Sequence, residues 1–330
     1  MIIGLMILLL SIIKLLNIPH ITSIVKLRVK KRKYGFGLLV YSDETVNGII
    51  ELLEKIYSDQ HCYIIHFDSK TPLRSIELFT SLYPDIKQTK QQYDIEWGSF
   101  EIVKAELEML FTDIQCDYDH FMFLDGASYP LQPLHMIEKE LNRIPIMNSV
   151  LFSNDPGYGS RIPTCKKDSP TLSECDRTEA RCVDETCTQY TTTPYHGPVY
   201  KGPQWVILSR AFINFLKIEK DLVDQWIDFF EWHSRIPDES FFQTIFMNSV
   251  FRDYDFLYKE DWIKTVWKDC KSGNTLFSEM GWSPCPLGVL DYDFHLENST
   301  ALFTRKIEPG SDLKAMIFDR YTTKNEVNTI

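Results

Sequence analysis

Residues 62–68 read CYIIHFD, an apolar run that ends at an aspartate. A similar run precedes it at residues 37–41 (GLLVY) and another follows at residues 120–124 (HFMFL), with Asp125 next. Short apolar runs bounded by polar residues predict buried strands. Between these runs apolar residues recur at helical spacing, at Val46, Ile49, Ile50, Leu53 and Ile56, and again at Val103, Leu107, Leu110, Phe111 and Ile114. Strands that alternate with helices predict an α/β fold with a mostly parallel central sheet and helices on both faces.

Two aspartates, Asp68 and Asp125, directly follow predicted strands. In mostly parallel sheets, ligands bind beyond the carboxyl ends of the strands. Both carboxylates are therefore predicted to lie at the mouth of a binding site. Aspartate is also common in ordinary turns, so the strand pattern alone leaves a purely structural role open for each residue.

The second half of the chain is less regular. Its pattern predicts a strand at residues 205–208 and two helices, one from Ala211 and one over about residues 222–232, while a further strand is predicted at residues 150–152 in the first half. Residues 237–239 (PDE) are typical of a helix start. Asp238 and Glu239 would suit the positive end of that helix, which makes a capping role the simplest interpretation of the pair.

The first 33 residues differ from the rest in charge and hydropathy. Residues 1–25 are mostly apolar, six basic residues lie between Lys26 and Lys33, and all 46 acidic residues come later. This pattern predicts a hydrophobic signal-anchor with a basic stem over residues 1–33 and a single domain over residues 34–330. The protein is then expected in a membrane of the secretory pathway. Two alternatives stay open: a buried core helix, and a body kept in the cytosol by the positive-inside rule.

Eight cysteines bear on the compartment. Four of them, Cys165, Cys175, Cys182 and Cys187, lie in a polar segment at about residues 165–187, which is predicted to be an insert in the domain. An even cysteine count behind a hydrophobic leader favours disulfide bonds formed in an oxidising lumen. The alternative is a set of reduced, mostly buried thiols.

The composition excludes several classes of function. A net charge of −11 at pH 7 argues against nucleic acid as a partner, because binding to phosphate backbones depends on lysine and arginine. The chain has no G-x-S-x-G, Walker, G-x-G-x-x-G or H-E-x-x-H motif. An acidic, aromatic-rich body with carboxylates at strand ends suits sugar transfer from a nucleotide donor. That reaction needs a carboxylate base and positive charge for the departing diphosphate.

The positive charge that the departing diphosphate needs can come from a metal ion or from basic side chains. A metal-binding D-x-D is not formed after the third strand, where Asp125 is followed by Gly-Ala-Ser. Three other D-x-D pairs, at residues 117–119, 253–255 and 291–293, are interpreted as surface acids. Arg305 and Lys306 are therefore the better candidates for holding phosphate. A solvated charged pair at a strand end is the alternative.

Six motifs in order resemble those of glycosyltransferase family 14, the core-2/I-branching β-1,6-N-acetylglucosaminyltransferases and peptide O-xylosyltransferases. The resemblance runs from about residue 36 to residue 307. The motifs are IHFDSK at residues 65–70, WGSF with Val103 and Ala105 from residue 97, LDGASYPL at 124–131, KGPQW at 201–205, PDESFF at 237–242 and LFTRK at 302–306.

This resemblance implies a GT-A fold, a UDP-sugar donor, a glycan or glycoprotein acceptor, and inversion at the anomeric carbon with no required metal or other cofactor. It implies that Glu239 is the general base. Donor binding then falls to Asp68, Asp125, Arg305 and Lys306, and the acceptor side to Lys201, Gln204, Trp205 and Asp238. A Golgi or other secretory lumen follows as the expected location, with the N-terminal segment as a single membrane span.

The chain departs from the family pattern where S-G-x-D-Y-P reads Asp125-Gly-Ala-Ser128-Tyr-Pro, so that acid and hydroxyl have exchanged places. Thr304 also replaces a small alanine. We expect transfer of N-acetylglucosamine in a β-1,6 branch. Xylose and glucuronic acid stay open as the transferred sugar, as does a catalytically silent carbohydrate-binding protein on the same fold.

Overall fold

The central sheet of the computed structural model has five strands, in the order β3-β2-β1-β4-β6. They are β1 (Tyr34–Val40), β2 (Cys62–Phe67), β3 (Lys87–Gln88), β4 (His120–Asp125) and β6 (Ile207–Ser209). The structure describes residues 31–143, 199–234, 236–254, 262–273, 275–279 and 283–327. Every residue of β1, β2 and β4 is buried, as expected for central strands covered on both faces.

Three helices connect the parallel strands: α1 (Asp43–Ile56), α2 (Leu73–Leu82) and α3 (Glu101–Phe111). The chain moves from β1 to β2 and β3 in one direction, and then returns across the sheet to β4. Because parallel crossovers are right-handed, this reversal puts α3 on the face opposite α1 and α2. The predicted α/β fold with a mostly parallel sheet is confirmed. The exception is β6, which pairs antiparallel with β4.

The helix α1 packs unusually close to the turn after β4. A Cβ atom at Gly48 would lie 1.8 Å from the carbonyl oxygen of Gly126, and one at Gly126 would lie 2.2 Å from that of Thr45. Both positions therefore require glycine. At the start of the helix, Thr45 Oγ1 accepts a hydrogen bond from the Ser42 amide at 2.8 Å and completes a capping box. These contacts fix the ends of β1 and β4 against each other.

A smaller sheet and several short helices follow. They are α4 (Leu134–Arg143), α5 (Arg210–Ile218), α6 (Lys220–His233), α7 (Phe241–Met247), α8 (Phe251–Tyr254), α9 (Leu276–Glu279) and α10 (Asp312–Val327), with the strands β5 (Tyr129–Pro130), β7 (Ile263–Thr265) and β8 (Phe303–Arg305). The three strands form a sheet in the order β5-β8-β7. The strand predicted at residues 205–208 is found at Ile207–Ser209. The predicted strand at residues 150–152 lies outside the described residues.

Two disulfide bonds, Cys62–Cys116 and Cys270–Cys285, are formed among the described cysteines. The expectation of disulfides is confirmed for these four residues, and the reduced alternative is wrong for them. The insert at about residues 165–187 and the apolar residues 1–25 lie outside the described part of the chain. Within the part that is described, no helix combines the length and apolar character needed to cross a membrane.

Candidate active site

The connections of the sheet reverse direction between β1 and β4. The chain leaves β1 toward β2 and returns to β4 from the far edge, although β1 and β4 are neighbours. In open α/β sheets such a switch point leaves a crevice beyond the carboxyl ends of the two strands. Tyr41 follows β1 and Asp125 ends β4, so both residues lie at this edge.

Asp125 is held by the turn that follows it and by a cation from far along the chain. Its Oδ1 accepts hydrogen bonds from the Ser128 hydroxyl at 2.7 Å and the Ala127 amide at 3.2 Å. Its Oδ2 lies 2.5 Å from Nη2 of Arg305, and the side chains of Asp125 and Arg305 are only 4% and 12% exposed. The acid and hydroxyl that have exchanged places in the motif are therefore hydrogen-bonded to each other.

Arg305 also stacks on an aromatic ring. Its guanidinium carbon lies 4.4 Å from the centroid of the Trp205 ring, within the range of a cation–π interaction. The carbonyl of Trp205 accepts a hydrogen bond from Nε1 of Trp262 at 3.0 Å, which fixes the backbone beneath the ring. Arg305 was predicted on the donor side and Trp205 on the acceptor side, and the structure brings these two residues into contact.

Lys306 adds a second positive charge next to Arg305. Its Nζ donates a hydrogen bond to Oγ of Ser283 at 2.8 Å. Burial lowers the pKa of Lys306 and repulsion from Arg305 lowers it further, while Asp125 acts in the opposite direction. Two cations thus face one carboxylate, and the excess positive charge suits an anionic ligand. The alternative of a fully solvated pair is wrong, since Arg305 is largely buried.

Glu239 lies in a single 3₁₀ turn, Pro237–Glu239, just before α7. The amide of Ile236 donates a hydrogen bond to the Gly98 carbonyl at 3.1 Å, which ties this turn to the W-G-S-F loop. Nζ of Lys201 lies 3.6 Å from Oε2 of Glu239, whose side chain is 22% exposed. The carboxylate is thus partly exposed to solvent and has an ammonium beside it to offset its charge.

Asp68 is fully buried at the end of β2. Its Oδ1 accepts a hydrogen bond from the Lys70 amide at 2.7 Å, and its Oδ2 accepts one from the Ile95 amide at 2.8 Å. Nζ of Lys70 lies 3.1 Å from the same Oδ2. In this arrangement Asp68 joins two loops at the carboxyl edge of the sheet.

Gln204 and Glu106 form a part-buried hydrogen bond. Nε2 of Gln204 donates to Oε1 of Glu106 at 3.0 Å, and the Glu106 side chain points inward from α3. Burial raises the pKa of Glu106 well above its usual value and the nearby Asp238 raises it further, while the bond from Gln204 opposes both. Burial and Asp238 thus both favour the protonated, neutral form of the Glu106 carboxyl group by raising its pKa. Asp238, predicted on the acceptor side, is itself buried.

The sequence interpretation missed Glu106 and Tyr41. Glu106 lies on the inward face of α3 beside Val103 and Leu107, and an acid on an otherwise apolar stripe was a usable signal. Tyr41 immediately follows β1, as Asp125 ends β4. Burial raises the pKa of Tyr41, with Asp125 the next contributor, so its hydroxyl stays protonated.

The D-x-D acids occupy different environments. Asp117 is highly exposed, and Asp119 accepts a hydrogen bond from the Lys33 amide at 2.9 Å. For Asp291 the prediction of a surface acid is wrong. It is fully buried because its carboxylate accepts hydrogen bonds from backbone amides of residues 271, 272 and 288. The side chains of Asp253 and Asp255 lie outside the described part of the structure.

A mostly parallel α/β sheet with Asp125 and the largely buried Arg305 at the carboxyl end of a central strand is an arrangement that suits an anionic ligand such as a nucleotide. Residues 38–285 match the family model "Core-2/I-Branching enzyme". The chain belongs to this family, glycosyltransferase family 14. The family resemblance seen in the motifs is confirmed.

Xylosyltransferases are among its curated relatives. "Xylosyltransferase 1" of Rattus norvegicus is 25% identical over 285 residues, which cover 82% of this chain and 33% of the relative. "Xylosyltransferase oxt" of Drosophila melanogaster is 24% identical over 222 residues, covering 64% and 24%. The chain therefore spans about a third or less of these relatives. Among solved structures, the bifunctional glycosyltransferase WbbM in its apo form matches with a TM-score of 0.39 at 10% identity, covering 88% of this chain and 52% of that one.

Proposed function

We propose that this protein is an inverting glycosyltransferase that moves a sugar from a UDP-sugar to an acceptor hydroxyl, with Glu239 as the general base. The observation that carries the proposal is that residues 201–205 contact both Glu239, through Lys201, and Arg305, through Trp205. Family membership supports the reaction class.

In the proposed reaction, the acceptor hydroxyl oxygen attacks the anomeric carbon of the donor sugar. Glu239 takes the hydroxyl proton as the new carbon–oxygen bond forms. The bond from the anomeric carbon to the UDP oxygen breaks, and UDP leaves with that electron pair. A single displacement of this kind inverts the configuration at the anomeric carbon.

We propose that Arg305 and Lys306 neutralise the departing diphosphate. In this proposal the two side chains supply preorganised positive charge, which stabilises a transition state in which negative charge develops. Since side chains would supply the charge, we propose that catalysis needs no divalent metal. Asp125 belongs to the proposed donor site as well, because its carboxylate contacts Arg305 and would share the guanidinium with the diphosphate.

The remaining predicted residues take supporting roles in this proposal. Asp68 would contact the nucleoside end of the donor from the end of β2. Lys201, Gln204, Trp205 and Asp238 would form the acceptor side. The contacts of Lys201 with Glu239 and of Trp205 with Arg305 support the placement of this segment beside the reacting atoms.

For the donor sugar, we propose xylose first and N-acetylglucosamine second. The names of the curated relatives favour xylose as the transferred sugar, and the family resemblance then makes a peptide the acceptor. The family model is described as a branching enzyme, and because the family resemblance connects branching with N-acetylglucosamine, this second donor stays in the test.

We propose further that the protein is anchored by residues 1–33 in a secretory membrane, with its enzymatic domain in the lumen. The disulfides Cys62–Cys116 and Cys270–Cys285 support this location, because disulfides form and persist in oxidising compartments. Protease protection of the domain in sealed microsomes tests the proposal, and digestion without detergent would contradict it.

The reaction itself is tested by following UDP release and glycoside formation with a panel of UDP-sugars, in the presence and absence of EDTA. Glu239→Gln is expected to abolish transfer while leaving UDP affinity within about twofold. Its control is Glu108→Gln, a half-buried acid on α3 with no role in the proposed reaction. Activity above a few per cent in Glu239→Gln would remove this residue from its role.

A further inference from the structure

One short stretch of chain contacts both halves of the site. We call residues 201–205 the linking segment. At one end, Lys201 Nζ lies 3.6 Å from the Glu239 carboxylate and the Gly202 amide donates a hydrogen bond to the Glu239 carbonyl at 2.8 Å. At the other end, the Trp205 ring stacks under the Arg305 guanidinium. Displacement of this segment would therefore disturb the base and the phosphate cation together.

The linking segment is anchored to the interior by two amide side chains. Nε2 of Gln243, in α7, donates a hydrogen bond to the Pro203 carbonyl at 2.7 Å. Gln204 supplies the other anchor, with its own Nε2 donating to Glu106 at 3.0 Å. Glu106 is the only one of these partners with a carboxyl group, and it is completely buried.

A buried carboxyl group is costly unless it is satisfied. Oε1 of Glu106 is satisfied by Gln204, whereas Oε2 has no hydrogen-bond partner within the described residues. Asp238 is the charged group that acts on Glu106 itself, while the neighbouring Tyr41 is acted on by Glu106, Asp125 and the cation Arg305. Protonation removes the charge that Asp238 would repel, and a neutral acid still accepts the bond from Gln204. The hydrogen bond from Gln204 offsets only part of the cost of burying the polar carboxyl group of Glu106. A role in filling space therefore does not explain why a glutamate lies at this position.

We propose that Glu106 is a positioning residue of the active site, which holds Gln204 and thereby keeps the linking segment where Lys201 meets Glu239 and Trp205 meets Arg305. This inference rests on the proposed roles of Glu239 and Arg305. Glu106 does not touch the reacting atoms and acts through the backbone that it anchors.

The experiment compares Glu106→Gln, Glu106→Leu and the control Glu108→Leu in the full chain. Two quantities are measured below the unfolding temperature of every variant: kcat for UDP release, and amide hydrogen exchange of peptides that cover residues 201–205. Because glutamine matches a neutral carboxyl group in shape and still offers an acceptor, Glu106→Gln is expected to keep kcat within about threefold. Glu106→Leu is expected to lower kcat at least tenfold and to speed exchange at Gly202, while Glu108→Leu changes neither.

If Glu106→Leu fails to fold, Gln204→Leu removes the same hydrogen bond from the other side and is expected to give the same two effects. Where both fold, the double variant is expected to be no worse than either single one, because the two changes break one contact. Equal loss of kcat in Glu106→Gln and Glu106→Leu would overturn the proposal. Unchanged exchange and kcat in Glu106→Leu would overturn it as well.

The exchange measurement separates this inference from the proposed function. Glu239→Gln is expected to stop transfer with little change in exchange of the linking segment. A wild-type chain that transfers no sugar would contradict the proposed function. In that case exchange alone still decides whether Glu106 anchors residues 201–205.

Discussion

The Asp125–Arg305 ion pair makes a sharp prediction about stability and donor binding. Asp125→Asn keeps the side-chain volume and the Oδ1 acceptor for Ser128 and Ala127. It replaces the anionic oxygen that lies 2.5 Å from Arg305 by an amide group. Both side chains are almost fully buried, and removal of one partner from a buried pair costs about 3–5 kcal/mol because the remaining charge has no counter-ion. The free energy of unfolding of Asp125→Asn should fall by about that amount.

UDP should recover part of this loss. In the proposed donor complex of the wild type, the diphosphate would share Arg305 with Asp125, whereas in Asp125→Asn this competing carboxylate is gone. We expect UDP to bind the variant about tenfold more tightly, equivalent to about 1.4 kcal/mol. At a fixed saturating concentration, UDP should therefore stabilise the variant by about 1.4 kcal/mol more than the wild type.

Urea unfolding with and without UDP, together with calorimetric titration of UDP, measures both quantities. The matched control is Asp293→Asn, which breaks a long, exposed contact of 3.9 Å with Arg320 and should cost about 1 kcal/mol or less. A loss below about 1 kcal/mol in Asp125→Asn would refute the account of the buried pair. Weaker UDP binding in the variant would show that Asp125 supports the donor site and does not compete with the donor.

Three further predictions concern Lys306, Gly48 and Glu106. Lys306→Ala should weaken UDP binding about 10- to 100-fold by calorimetry, because a charge-assisted contact is lost, whereas the exposed Lys268→Ala should not. Gly48→Ala should lower the free energy of unfolding by about 1–3 kcal/mol in urea, despite a better helix propensity, because its Cβ would overlap the Gly126 carbonyl; a gain in stability would contradict this packing. Glu106→Gln should gain stability relative to the wild type as pH rises, because the native pKa of Glu106 is raised. The wild type then has its full stability below the unfolded-state pKa of about 4.3 and loses stability as pH rises above that value, by up to about 1.4 kcal/mol per pH unit. A difference in free energy of unfolding between variant and wild type that stays constant from pH 5 to pH 7 in urea would contradict this prediction.

The alternation of strands and helices was predictable because it depends on local periodicity. The runs at residues 37–41, 62–67 and 120–124 correspond to β1, β2 and β4. Asp68 and Asp125 lie at the carboxyl edge of this sheet, where ligands bind in open α/β folds. The antiparallel addition of β6 was not predictable in this way. Its pairing with β4 joins residues far apart in the chain, and the local pattern of residues 205–208 does not specify a direction.

The chemistry of the site was predictable by residue type, but its contacts were not. Arg305 and Lys306 were identified as adjacent cations, yet nothing in the sequence indicates that Asp125, 180 residues away, neutralises one of them. For Asp291 the sequence pattern led to a wrong prediction of its environment. A D-x-D letter pattern suggested a surface acid, while three backbone amides hold the carboxylate in the interior.

Sugar transfer by the wild-type full chain and by Glu239→Gln is the most direct test of the account. UDP release and product formation are followed with UDP-xylose and UDP-N-acetylglucosamine, on peptide and mucin-type acceptors, with and without EDTA. The account predicts turnover of one donor by the wild type, unaffected by EDTA, and no turnover by Glu239→Gln with UDP affinity retained. Turnover that persists in Glu239→Gln, or folded wild-type protein that neither binds UDP nor transfers sugar, would contradict it.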